Sequence, residues 1–390
     1  HGKTHTSLGT ASPEVVEAQM RDSKLALEAL GVTVESFAYP GGSQSAATRD
    51  IAEQYYVRQR GIQEAAPQYL TCLHDSIRMV HASNPRSFDD FKSIVDGAIA
   101  TDSVAVVYWH GLLADGTIED SLSGVPFTIQ DVATYITQMK AAYGLQPVQF
   151  RDLDSIGSGN VVEWTAAADG VASDGANWDT GTAPTSGDYL IFTHNSPANC
   201  TLDTSASYKG IYLSIDYPGT VTVAPGVELS LANGGFQMFN GKFVGDPDGW
   251  VTCGGHWQRH NQGTVSSLNL QMTLDGARLL VGPSTLKSLR LSGDTILQSV
   301  NVGDLLRIDD GVHVTIIADR SLRVKYFNDC QYVNNGTIDG AGYVLIWLYN
   351  KDMDINLGDV RCDVQVRLDS GAFIKSSTLT LAEDTVIGGG

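Results

Sequence analysis

Residues 220–231 read TVTVAPGVELSL: Val221 and Val223, then Val227, Leu229 and Leu231, alternate with Thr, Glu and Ser on either side of a Gly-bearing break. A period of two sends the apolar residues of each arm to one face of an extended strand. Comparable arms return at 312–317 and at Val364-Gln365-Val366-Arg367-Leu368, punctuated by Gly, Asn or Asp. A recurrence of roughly 20–25 residues is the rhythm of stacked coils, each of which buries its face on the next. Residues 156–390 are therefore expected to form an all-β module, a right-handed parallel β-helix, with a pair of β-sandwiches as the alternative.

The first 155 residues keep a different rhythm. Ser12-Pro13 supplies an N-cap and a proline in the first turn, after which Val16, Met20, Leu27 and Leu30 recur at helical spacing up to Gly31. Val32-Thr33-Val34 leads into Phe37-Ala38-Tyr39-Pro40-Gly41-Gly42, a strand running into a Pro-Gly turn. Two more helices are expected, one after Ser87 with Phe88, Phe91, Val95 and Ile99 on one face, the other after Thr128 with Val132, Ile136, Met139 and Tyr143. Asp90 and Asp131 stand where each would close a capping box. Between these helices Val104-Ala105-Val106-Val107-Tyr108-Trp109 is continuously apolar, the pattern of a strand buried on both faces. Helices alternating with strands predict a multi-domain chain that opens with an α/β domain over residues 1–155. Ile156-Gly157-Ser158-Gly159-Asn160 marks its boundary with the β-module.

Composition bounds the function. A length of 390 residues suits two domains, and 42% hydrophobic against 18% charged residues suits folded, β-rich structure. The net charge of −19 repels phosphates and argues against a nucleic-acid partner. No apolar run is long enough to span a bilayer. Cys72, Cys200, Cys253, Cys330 and Cys362 are odd in number and widely spaced, so neither a disulfide framework nor a zinc ribbon is indicated.

Three places carry candidate chemistry. His1-Gly2-Lys3-Thr4-His5 offers two imidazoles in an HxxxH pair, either ligands for a borderline metal or solvated, hydrogen-bonded side chains. The Phe37 to Gly42 turn either lets backbone N–H groups approach a ligand, where such donors stabilise an oxyanion, or simply ends a strand. His110 follows the apolar strand, and strand carboxyl ends are where open α/β sheets bind ligands. A second HxxxH, His256-Trp257-Gln258-Arg259-His260, sits among glycines and reads as a loop. Trp164, Asn177-Trp178-Asp179 and Trp250 suit either sugar stacking or core packing. The stretch NWDTGTAPTSGDYLIF at 177–192 is similar to the opening of bacterial surface β-repeat proteins.

Taken in order, His1 and His5, Leu8, the first helix, Phe37-Ala38-Tyr39-Pro40-Gly41-Gly42 and Val106-Val107-Tyr108-Trp109-His110 resemble the polysaccharide deacetylase family, carbohydrate esterase family 4, over residues 1–153. The resemblance implies the C-terminal part of a distorted (β/α) barrel, closed by Val148-Gln149-Phe150. It also implies a divalent metal, usually zinc, held by His1 and His5, with Gly41 as oxyanion donor and His110 as general acid. Tyr39, Pro40 and Trp109 would touch the substrate, an acetylated polysaccharide or cell-wall glycan. The family's paired aspartates precede HxxxH, so they are expected ahead of His1. Ala38 stands where many members carry arginine beside the base, and no clear Asp-Trp motif follows, although Arg58-Gln59-Arg60-Gly61 lies in the corresponding region. The expected protein is a metal-dependent deacetylase displayed on a β-solenoid stalk, extracellular or virion-associated, trimeric through its β-module. Its alternative is a structural or adhesive fibre with a degenerate deacetylase fold.

Overall fold

The structure, a computed structural model, describes residues 1–62, 69–70, 79–100, 104–145, 147, 160–259, 262–281, 285–318, 320–326, 331–349 and 357–369. The chain divides into two compact units, His1–Ser158 and Gly159–Gly390. Val148-Gln149-Phe150 and most of the expected linker lie outside the described residues.

In the first unit, helix α1 (Pro13–Glu28) starts at its proline and buries Val16 and Met20. Leu27 and Leu30, expected on the same stripe, are 42% and 79% exposed. The helix stops at Glu28, so Leu30 falls beyond its last turn. Helix α2 (Ala46–Glu53) opens on a Ser45/Thr48 capping box, and α3 (Phe88–Ala100) on an Asp90 N–H to Ser87 Oγ bond of 3.1 Å. Helix α4 (Ile129–Tyr143) has the expected Thr128/Asp131 box and ends at Gly144 in the left-handed region. Phe91 and Val95 from α3 join Phe127, with Val132, Ile136 and Met139 of α4 packed against them. The two amphipathic faces thus close on each other.

Ser36–Ala38, Arg58–Ile62 and Met79–Ala82 form a parallel sheet in that order, with Phe37 opposite Gln59 and Gln59 opposite Met79. A parallel bridge from Ser83 to Val107 adds the next chain segment. The apolar run at 104–109 differs from expectation. Only Val104–Ala105 is regular strand, paired antiparallel with Tyr69–Leu70, and residues 104–109 are half-buried instead of sealed on both faces.

The second unit is all β and rich in parallel pairs. Val162, Leu190, Ile211, Phe236, Trp257, Leu279, Leu297 and Ile316 stand in register, each the direct partner of the next. A second column runs Tyr208, Leu231, Cys253, Met272, Leu291, Ile308. A third joins Cys200, Val221, Phe243 and Val265. Every member of the three columns is buried. Their side chains meet in one continuous core, where each Leu or Phe contributes roughly 1.5–3 kcal/mol by leaving water. The sandwich alternative fails here, because sandwiches are built of antiparallel pairs. Thr220–Val223, Leu229–Met238, His313–Ile316 and Asp363–Asp369 are the strands announced by the alternating segments.

Close stacking dictates one glycine in particular. Gly235 has φ +63, and a Cβ there would lie 2.2 Å from the His256 carbonyl oxygen. Trp164 and Trp178 pack edge to face at 5.1 Å inside the core and donate their indole N–H groups to Ala198 O and Ala172 O. They are core residues, as the packing reading required, and no sugar-stacking platform. His256 is buried, and His260 lies outside the described residues. Cys200, Cys253 and Cys362 are free and buried, whereas Cys72 and Cys330 are outside the described residues.

Candidate functional site

The HxxxH segment is tied to α1 through one glutamine. Lys3 N–H donates to Gln19 O at 3.3 Å and Thr4 N–H to Gln19 Oε1 at 2.9 Å, while Ser23 Oγ donates to His1 O at 2.7 Å. The turn this creates puts His5 at φ +55, a region that strains a side-chain-bearing residue, and brings the two imidazoles together edge to face at 4.7 Å. His1 Nδ1 lies 2.7 Å from Ala38 O, at the carboxyl end of the first strand. A backbone carbonyl on one ring nitrogen fixes the tautomer and leaves Nε2 for a ligand, a usual second partner of metal-bound histidine. The donor chemistry of His1 and His5 therefore suits zinc or a similar divalent ion. Among the described residues, no cluster of three or more His, Cys, Asp and Glu completes such a site.

The following turn is built as its sequence predicts. Gly42 N–H bonds Tyr39 O and Ser43 N–H bonds Pro40 O, while exposed Gly41, at φ +59, has open space where a Cβ would point. Gly42, at φ +68, would place a Cβ 3.0 Å from Ile62. Pro40 lies close to Gly2 and so borders the HxxxH turn. Tyr39 departs from its expected role. Its ring is 1% exposed against Phe37, and its hydroxyl donates to Gln59 Oε1 and, at 3.3 Å, to Thr48 O. Its side chain is a core strut, so only its backbone borders the site. Trp109 departs too, since its indole N–H is spent on Pro85 O at 3.0 Å and its ring packs on Phe91 and Phe127.

His110 is exposed, with its N–H 2.7 Å from Asp120 Oδ2 and its Nδ1 2.8 Å from Asp120 Oδ1. Burial raises the Asp120 pKa, but the His110 backbone N–H, the His110 ring and Asn84 outweigh it and hold the carboxyl below its ordinary value. The carboxylate is thus ionised wherever it is needed to orient the ring. Sequence reasoning missed Asp120, although a signal existed. Asp115-Gly116 is a hairpin turn, and the register that sets Leu112 opposite Ile118 sets His110 opposite Asp120.

Ring contacts connect the two halves. The His110 ring lies 5.5 Å from Tyr108, whose face is covered by the Arg60 guanidinium at 4.5 Å. Arg60 in turn is the register partner of Ala38, whose carbonyl oxygen holds the His1 ring. Strand ends 38, 60 and 84 and the segment 108–110 thus converge, as ligand sites in parallel sheets do.

The polysaccharide deacetylase family model matches residues 1–59. The match takes in His1, His5, Tyr39, Pro40 and Gly41 and stops ahead of Trp109 and His110, so it covers less of the chain than the residue motifs suggested. No curated protein and no solved structure matches. The deacetylase resemblance is therefore carried by the first 59 residues. No helix among the described residues is long and apolar enough to cross a membrane.

Proposed function

We propose that the protein hydrolyses acetyl groups from an acetylated polysaccharide or cell-wall glycan, with its active site in the first unit. The observation that carries this reading is the meeting of His1 and His5 at the end of the first strand, inside the matched segment and beside the Pro40-Gly41 turn. His1 and His5 would hold a divalent metal, most simply zinc, which would supply a Lewis acid for the acetyl carbonyl and for water. The Gly41 N–H faces the carbonyl oxygen as charge develops there. His110, held by Asp120, delivers a proton to the departing amine or alcohol. A metal-ligating carboxylate and a base are expected from elsewhere in the protein.

The second unit is read as a right-handed parallel β-helix that trimerises and displays or attaches the enzyme on a cell surface, a virion or a secreted particle. Its support is the run of in-register parallel strands. A second reading, a structural or adhesive protein with a degenerate deacetylase fold, is favoured by the two-histidine set. Acetate release from acetylated chitin and xylan oligosaccharides separates the two. The enzyme reading expects turnover that falls by about 10²–10⁴ in His110→Ala. No acetate from the intact, metal-loaded protein supports the fibre reading.

A further inference from the structure

Among the described residues, Arg60 has no anion beside it. The chain carries 44 acidic residues against 25 basic ones, yet no carboxylate pairs with this guanidinium among the described residues. Its Nη1 is buried without a hydrogen-bond partner. Burial lowers its pKa, and among the described residues its position over the Tyr108 ring works the other way. A buried donor left unmade costs roughly 1–3 kcal/mol, more for a charged group, so a fold retains one where a ligand fills it. Along the line from Tyr108 through His110 and Asp120, Asn84 Oδ1 is likewise buried and without a partner.

We infer that Arg60, braced on Tyr108, binds a carboxylate beside the acetylated position. The guanidinium fork matches a carboxylate in two parallel hydrogen bonds, and the aromatic face fixes the plane of the fork. Asn84 Oδ1 asks for the opposite chemistry, a hydroxyl or amide N–H. A carboxylated sugar presents both groups together. The inference rests on the deacetylase reading and narrows it to acidic glycans. The same carboxylate chemistry also belongs to released acetate, so the two sources must be separated.

Ligand-observed NMR on the intact protein, with the methyl glycoside of glucuronic acid, its carboxylate free, and sodium acetate as probes, tests the subsite without turnover. Binding of either probe is expected to weaken at least about tenfold in Arg60→Gln and less in Arg60→Lys, which keeps the charge but loses the fork. Preference for the glucuronide assigns the subsite to substrate, and preference for acetate assigns it to product. Circular dichroism melting of both variants, together with Tyr108→Leu, which leaves the charge and removes only its brace, separates lost binding from lost folding. Arg60-dependent probe binding without any acetate release would leave the subsite standing and sink the enzyme reading. Acetate release with probe binding unchanged in folded Arg60→Gln, or with neither probe bound by the wild type, would overturn the subsite alone.

Discussion

The second unit repeats one solution, whereas the first collects single contributions from different strand ends. From Val162 to Ile316 eight register partners fill one apolar column, and loss of an inner one leaves neighbours above and below. In the first unit His1, Arg60, Asn84 and His110 each arrive once, and Arg60 and Asn84 keep buried polar atoms without partners. Repetition stabilises; convergence at strand ends sets unlike polar groups side by side, where a ligand can bind them. The comparison separates where stability should be lost from where chemistry should be lost.

The largest effects should come from the columns and the imidazole pair. Trp257 is fully buried and stacked on Phe236 at 4.0 Å, so Trp257→Ala should cost about 3–5 kcal/mol in denaturant unfolding of the second unit. A cost below about 1 kcal/mol would break the idea of a shared column. Comparable in size, His5→Ala should weaken zinc binding about a hundredfold by calorimetry while leaving the melt of the second unit in place. Unchanged affinity would return His5 to a structural role.

Smaller effects sharpen the contrast. Asp120→Asn should lower kcat about 10–100-fold with KM little changed, because the carboxylate orients His110 without touching substrate, below the roughly 10²–10⁴ due to a general acid. A change confined to KM would contradict that assignment. In the second unit, burial works to raise the Asp309 pKa, but hydrogen bonds from Arg290, Arg307 and Ser292 prevail and hold it at about 2. A depressed pKa stabilises the fold above the unfolded value of about 3.9, and this contribution disappears as pH falls towards 2. With both arginines partly exposed, Asp309→Asn should cost about 1 kcal/mol at pH 7 and almost nothing near pH 2, measured by urea unfolding.

The alternating arms made the β-module legible because a period of two survives in strands such as Thr220–Val223 and His313–Ile316, although Tyr189–Phe192 and Trp257–Arg259 are buried along their whole length. Helix starts were legible where capping is local, at Thr128 and Asp131. Burial was not. Val104-Ala105-Val106-Val107 looked sealed, but its neighbours on the sheet are short, and Tyr39 and Trp109 looked like contact residues until their polar atoms found core partners. His1, His5 and His110 were visible as motifs, whereas Arg60 and Asn84 carry no motif. What marks them is an unmet hydrogen bond close to His110, which only three-dimensional packing reveals; Gln237, Trp257 and Gln298 have unmet bonds too, but in the second unit.

Acetate release from an acetylated glycan, followed side by side in the intact protein, His5→Ala and Trp257→Phe, tests the division of labour most directly. Trp257→Phe keeps an aromatic ring in the column and removes an indole N–H that has no partner there. The account predicts turnover in the wild type, its retention in Trp257→Phe, and a loss of about a hundredfold or more in His5→Ala. Equal turnover in all three, or loss in Trp257→Phe with retention in His5→Ala, would contradict a site built on the first unit.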